Sequence, residues 1–239
     1  MNRSFKYTLL MSSLPRHPKD LLSATLPPIS RIQLDKRLVL LDAQDSAELK
    51  RIEQMIFWSH ARDASSAEII AQDNAALATL QNKVLKELVL WRLSVRTLMS
   101  ALRLRHAGAE PPLAKTFIGF SQWLRNIEQH WTHPTFAISP LAVPWLAQAD
   151  AYLRQQQPLE LETLLLDMSW RYYAKLGDYH TFDFEAVALY VLQWDVINRW
   201  SHYNRDYFKD TALANFNKLV DSALVGCDTR VAMNTPSTP

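Results

Sequence analysis

The strongest hydrophobic patterning in this chain lies between Leu161 and Phe208. Leu161 to Leu176 is apolar at helical spacing, and Gly177 follows as a C-terminal stop of the kind that adopts the left-handed cap conformation. Six residues later Asp183 is placed to cap the orphan N–H groups of a new helix, and Glu185 favours the positive end of its dipole. Phe182 before that cap and Val187 after it occupy the positions of a hydrophobic staple. From Phe184 to Leu192 the chain is apolar nearly all round, which predicts a buried helix, continuing to about residue 205. Asp195 and Arg199 are four apart on it, spaced to pair on one face.

The same spacing predicts helices through most of the remaining chain. Ser30 caps a short one running to Leu41. Asp45 or Ser46 starts another, 46 to 60, with Leu49, Ile52, Ile56 and Phe57 inward. Residues 61 to 66 read as a break. A long element follows, Ala67 to Ala107, ending at Gly108. Its strongest pattern is Val84, Leu88, Trp91, Val95, Leu98 and Leu102, which is heptad spacing and predicts a narrow apolar seam against neighbouring helices. Leu113 to Trp131 reads as helical and 132 to 140 as a loop. A helix to about Gln156 and another opened by Pro158 come next. Asp210 or Thr211 caps a last helix through about Leu224. Two segments fall outside this pattern. Phe5 to Leu14, short and partly aromatic, reads as an extended piece packed on the helical body, and Pro15, Pro18, Pro27 and Pro28 make 15 to 29 a non-helical connection.

The expected architecture is therefore all-α: a bundle of seven or eight helices with a short extended N-terminal segment. Residues 1–225 form a single helical domain with a possible sub-boundary near 108–113, and 226–239 form a loose polar tail. The totals agree. At 239 residues the chain is long enough to bury a sizeable core. Only four glycines argue against a turn-rich β protein and against glycine loops that cradle phosphates. A net charge of +2 is too balanced to argue for nucleic acid, and no helix-turn-helix or RNA-binding signature accompanies it. Cys227 is the single cysteine, so there is neither a disulfide framework nor a cysteine metal site. No apolar run approaches the roughly 18 to 20 residues of a membrane span, and the N-terminus lacks the core of a signal peptide. The expected location is cytoplasmic.

Catalytic signatures are missing. There is no Walker-type loop, no HExxH and no DDxxD pair, and no cofactor is expected. His130 and His133 flank Trp131 without a signalled third ligand, which favours a surface or cap role over zinc. The informative polar feature is a strip on the long helix: Arg92, Arg96, Arg103 and His106 fall beside the apolar seam at about 100° per residue. It reads either as a solvated helix face or as a docking surface for an acidic partner, since arginine forks bind carboxylates well. Asp195 and Arg199 read as a structural ion pair at the rim of the core. The aromatic cluster of Trp170, Tyr172, Tyr173, Tyr179, Trp194, Trp200, Tyr203, Tyr207 and Phe208 reads as core at one end and interface at the other.

Several of these residues carry a resemblance. Trp170, Leu176, Phe182-Asp183-Phe184-Glu185, Tyr190, Arg199-Trp200 and Phe216-Asn217-Lys218-Leu219-Val220 resemble the C-terminal signature of a family of small bacterial proteins associated with V/A-type rotary ATPases. Members of that family are suspected counterparts of the C component of the ATPase stalk, called d in eukaryotes. The segment Tyr7 to Pro15, closing on Ser13-Leu14-Pro15, is similar to the family's N-terminal run. Leu88 to Arg96 and Ala101 to Gly108 resemble its long helix with an Ala-Leu-Arg segment. Residues 61 to 83 do not align, and the chain is shorter than the classical C component. The resemblance implies a non-catalytic helical subunit on the cytoplasmic side of the membrane. Its partners would be the rotary ATPase stalk and membrane rotor-ring subunits, with no nucleic acid and no membrane span of its own. Two readings compete: a stand-alone helical binding or assembly factor, and a helical enzyme, which a deep polar pocket with shifted titratable groups would favour.

Overall fold

The computed structural model describes residues 3–56, 66–113 and 116–203. Among them there are helices and no strand, as the all-α reading requires. In chain order these are α1 (Arg3–Ser13), a 3-10 turn (Leu21–Ser23), α2 (Arg31–Leu38), α3 (Ala43–Ile56), α4 (Ser66–Thr79), α5 (Lys83–His106), α6 (Leu124–Gln129), α7 (Leu146–Arg154) and α8 (Pro158–Gly177). A further helix, α9, covers 184–203. Phe57, most of the expected break at 61–66, the helix expected from Asp210 or Thr211, and the tail with Cys227 lie outside the described residues.

Four elements differ from the sequence reading, each for a local reason. The N-terminal segment is helix α1, not an extended piece. Its buried residues Tyr7, Leu10 and Leu14 recur at helical intervals. Lys6 pairs with Asp42, and the Tyr7 hydroxyl donates to Asp45, fixing α1 to the start of α3. The long element is two helices. It breaks at 80–82, where Asn82 Oδ1 accepts from Leu85 N (3.0 Å) as an N-cap and Glu48 accepts from the N–H groups of Gln81 and Asn82 (3.0 and 2.9 Å). A buried acid on a neighbouring helix thus satisfies the donors that the break exposes.

The third difference is at 113–131, where only Leu124–Gln129 is helical. Side chains capture the backbone ahead of it: Thr97 Oγ1 accepts from Phe120 N (3.0 Å) and Glu128 from Phe117 N (3.1 Å). Gly119 lies so close to α5 that an added Cβ would sit 2.4 Å from Thr97 Cγ2. Fourth, α8 ends at Gly177 as expected, yet without a left-handed glycine. Its last carbonyls are taken by Asp178 N, Tyr179 N and His180 N. The left-handed glycine is Gly108 (φ 80°), which closes α5 with Ala109 N donating to Leu104 O across the turn.

Two hydrophobic cores result. The first gathers α1 to α3, Leu85 to Leu93 of α5, Leu166 to Tyr173 of α8, and α9 from Phe184 to Ile197. The second gathers Val95 to Leu102 of α5, Ile127 to Ala149, and Leu161 and Leu165 of α8. Helices α5 and α8 run through both, and Trp91 packs against each. The heptad seam is therefore wider than its spacing predicts: Leu85, Val89, Leu93, Met99 and Ala101 are buried beside Leu88, Val95, Leu98 and Leu102. Helix α9 is tied to the proline-rich connection by Trp194 Nε1 donating to Ile29 O (2.7 Å) and the Tyr190 hydroxyl donating to Pro15 O (2.8 Å).

The second core closes on a buried carboxylate. Asp150 is 2 % exposed and takes Arg105, His106 Nε2 (2.8 Å) and Arg154 Nη2 (2.9 Å). Arg105 also donates to the carbonyls of His133 and Pro134 and lies over the Phe136 ring at 4.7 Å. Phe136 and Ala137 hold positive φ (50° and 53°), and their turn is stapled by His133 Nδ1, which accepts from Thr135 N and Ala137 N (3.2 and 3.0 Å). Asp150→Ala is expected to cost about 3 to 5 kcal/mol, because it strands the Arg105 charge. A urea midpoint that moves by less than about 1 kcal/mol equivalent at unchanged slope would show that the cluster does not hold the core. Gly119→Ala is expected to cost about 1 to 3 kcal/mol by the same measurement, through displacement of Thr97.

Candidate functional site

Three arginines of the predicted strip border one cleft. Arg92, Arg96 and Arg103 are spaced i, i+4, i+11 along α5, which keeps them on one stripe of the helix. The core seam beside them anchors that stripe, so its direction is fixed by packing. The opposite wall comes from Glu162, Leu165 and Leu166 of α8 and from Arg199 of α9, with Met55 and Ile56 at the end of α3. The cleft encloses about 150 Å³.

The charges are unequally satisfied. Arg96 is ion-paired with Asp73 of α4. Arg199 Nη2 donates to Glu162 Oε1 at 2.9 Å. The expected pairing of Arg199 with Asp195 gives way to this contact, because α8 presents a carboxylate across the cleft. Arg92 and Arg103 make no hydrogen bond or ion pair among the described residues. His106, the fourth member of the strip, serves Asp150 in the second core.

Behind the cleft Asp195 is pushed from its ordinary 3.8 up to about 6. Burial is the main cause and Glu53 adds to it, against the attraction of Arg199, Arg31 and Arg92. Burial also raises the fully buried Tyr173 hydroxyl, with Arg92 and Arg199 acting in the opposite direction. Thus α5, α8 and α9 meet in a polar seam of Arg92, Tyr173, Asp195 and Arg199 beneath an arginine-lined opening. Arginine does not release its proton in proteins, so the opening can bind and orient an anion.

The remaining expected residues have local roles. Asp183 caps α9, with Oδ1 accepting from Ala186 N at 2.8 Å. Phe182 is about half exposed, while Val187 is fully buried. Trp200 packs against the first core, and its buried Nε1 has no hydrogen-bond partner among the described residues. His180, Asp183 and Glu185 bring ligand atoms within 4.8 Å of one another. They are already engaged: His180 Nδ1 meets Asp183 Oδ2 (2.8 Å), and Glu185 accepts from Asn82 Nδ2 (2.8 Å). The positive end of a helix also opposes a cation there, so this group acts as a cap. His133 likewise staples a turn.

Sequence reasoning does not find Glu162, Asp73, Asp150 or Arg105. The Asp150–Arg154 spacing of four is a readable signal. The others meet their partners across helices, which no local pattern encodes.

Comparison of the chain with family models, with curated proteins and with solved structures gives no match.

The shift of Asp195 fixes a sign. Its folded value lies above the unfolded one, so the native state holds the extra proton between about pH 4 and 6. The group's contribution to stability is greatest below about pH 4 and is lost as the pH rises through 6. Asp195→Asn is therefore expected to stabilise the fold at pH 7, by about 1 to 2 kcal/mol, and to change little at pH 4. Loss of stability at pH 7 in chemical denaturation would show that Asp195 is held as a favourable anion.

Proposed function

We propose that the chain is a non-catalytic helical subunit or associated factor of a V/A-type rotary ATPase, coupling the central stalk to the membrane rotor ring. Support comes first from the sequence resemblance. The structural observation that carries the reading is the pair of guanidiniums, Arg92 and Arg103, that make no hydrogen bond or ion pair among the described residues, on a helix buried on its other side. Such groups suit an acidic partner surface, and their rigid support limits the entropy lost on docking. The interlocked cores make a stiff body, as a torque-transmitting adaptor requires. Among the described residues no helix is long and apolar enough to cross a membrane, so attachment to the membrane's inner face runs through partner subunits. In this role the protein moves no proton and splits no nucleotide itself.

The test is affinity capture of the tagged chain from its native cells. Arg92→Glu/Arg103→Glu is the informative variant; Arg96 is left intact because it holds Asp73. Stoichiometric recovery of stalk or ring subunits with the wild type, weakened about tenfold or more in the variant, is the expected result. Sub-stoichiometric recovery identifies a transient assembly factor. Recovery of neither stalk nor ring subunits overturns the proposal.

A further inference from the structure

We infer that the apolar groove between the end of α7, the start of α8 and the last turn of α9 is the seat of this chain's own residues 211–224. This goes beyond the adaptor reading and does not rest on it. Two half-open hollows make up the groove. One encloses about 610 Å³ against Leu153, Pro158, Leu161 and Tyr203. The other encloses about 380 Å³ against Leu22, Leu164 and Trp200. Tyr152 and Leu159 line both, so the hollows are neighbours. Each volume is many times the roughly 30 Å³ share of one water, which leaves room for several side chains. Glu162 and Asp167 on the walls are already paired, with Arg199 and Arg171.

The position of the groove selects its occupant. Trp200 and Tyr203 stand on the last described turn of α9, one at each hollow, and residues 204–239 continue the chain from that point. They lie outside the described residues, and their sequence matches the groove. Leu213, Phe216, Val220 and Leu224 recur at steps of 3, 4 and 4, which at about 100° per residue puts them on one stripe of a helix. Asn215, Lys218 and Ser222 fall on the opposite face. A helix of this length is marginal in water by itself, since isolated helices need more than about 12 to 15 residues. It gains stability by covering an apolar surface. The connecting residues 204–210 span at most roughly 24 Å, at about 3.4 Å each. So short a tether holds the segment near the groove at an effective concentration of order millimolar, which favours it over a second copy. The buried Trp200 Nε1 has no hydrogen-bond partner among the described residues. Buried polar groups are as a rule paired, and a segment lying over the second hollow offers this N–H an acceptor.

Hydrogen–deuterium exchange of the purified full-length chain, resolved by peptide and run at low and high protein concentration, tests the inference. Residues 211–224 are expected to exchange about tenfold or more slowly than an unfolded chain, equally at both concentrations. Leu159→Glu, at a half-buried position on the groove wall, is expected to abolish that protection. Phe216→Asp, on the segment, is expected to do the same and to speed exchange in the last turn of α9. Leu141→Glu, 97 % exposed and outside the groove, is expected to leave it unchanged. Unaltered exchange in α5 identifies a folded variant. Should Leu159→Glu unfold the chain, Tyr203→Glu, at an exposed position, carries the comparison. Absence of protection in the wild type leaves the groove to another protein and overturns the inference. So does protection that survives the groove variants, which places the segment elsewhere. Protection only at high concentration, with a dimeric mass, makes the occupant a second copy and overturns it too.

Discussion

The burial of α5 is the constraint from which the fold and the cleft both follow. Helix α5 is 24 residues long, and its apolar residues fall in two consecutive blocks. Leu85 to Leu93 enter one core, and Val95 to Leu102 enter the other. Helix α8 repeats the arrangement in reverse order along the chain, with Leu161 and Leu165 in the second core and Leu166, Trp170 and Tyr173 in the first. Two helices shared by two cores cannot shift independently, since sliding either one would open voids in both. Trp91, which packs against both cores, stacks on Tyr172 of α8 (3.9 Å between centroids). Gly108, at the start of the 108–113 stretch, turns the chain out of a helix that both cores share.

Charge is handled in opposite ways at the two ends of this frame. In the second core Asp150 takes the Arg105 and Arg154 guanidiniums and the His106 ring, and Arg105 spends its remaining donors on backbone carbonyls. The pair is dehydrated, yet each group has a counterpart, the condition under which burial of ions is tolerated. In the first core Asp195 is dehydrated without a hydrogen bond among the described residues, and its pKa rises in consequence. His17 shows the neutral counterpart. Its ring stacks on Tyr190 at 4.0 Å, Nε2 donates to Tyr190 O, and burial lowers its pKa to about 4. A charge that weakens the fold beside an opening lined with arginines differs in kind from one that closes a turn. Such local conflicts mark places where sequence has been shaped by something other than stability.

Legibility follows the range of the interaction. Periodicity exposes what a single helix decides for itself: the cap at Asp183, the cap at Ser30, the start at Pro158, the stop at Gly108 and the inward face of α3. It fails where a neighbour intervenes. The break at 80–82 depends on Glu48, 33 residues away, and the helix expected from Leu113 is undone by Thr97 and Glu128. The N-terminal run, with one buried residue per turn, reads as extended only because its aromatic content outweighs its spacing. The arginine strip is visible as a stripe, but its division into paired and unpaired members depends on Asp73 and Asp150, which lie on other helices.

That division is what gives the stripe a direction. A solvated face of α5 would show arginines each screened by water or by an i+4 acid. Here the paired members point away from one another, Arg96 toward α4 and His106 toward α7. The unpaired members, Arg92 and Arg103, border the opening that α8 and α9 complete. Paired and unpaired members alternate along the stripe, so neighbouring helices set the charge that faces the opening residue by residue. The charge at the cleft is thus set by how α4, α7, α8 and α9 place their acids around α5 as much as by the arginines themselves.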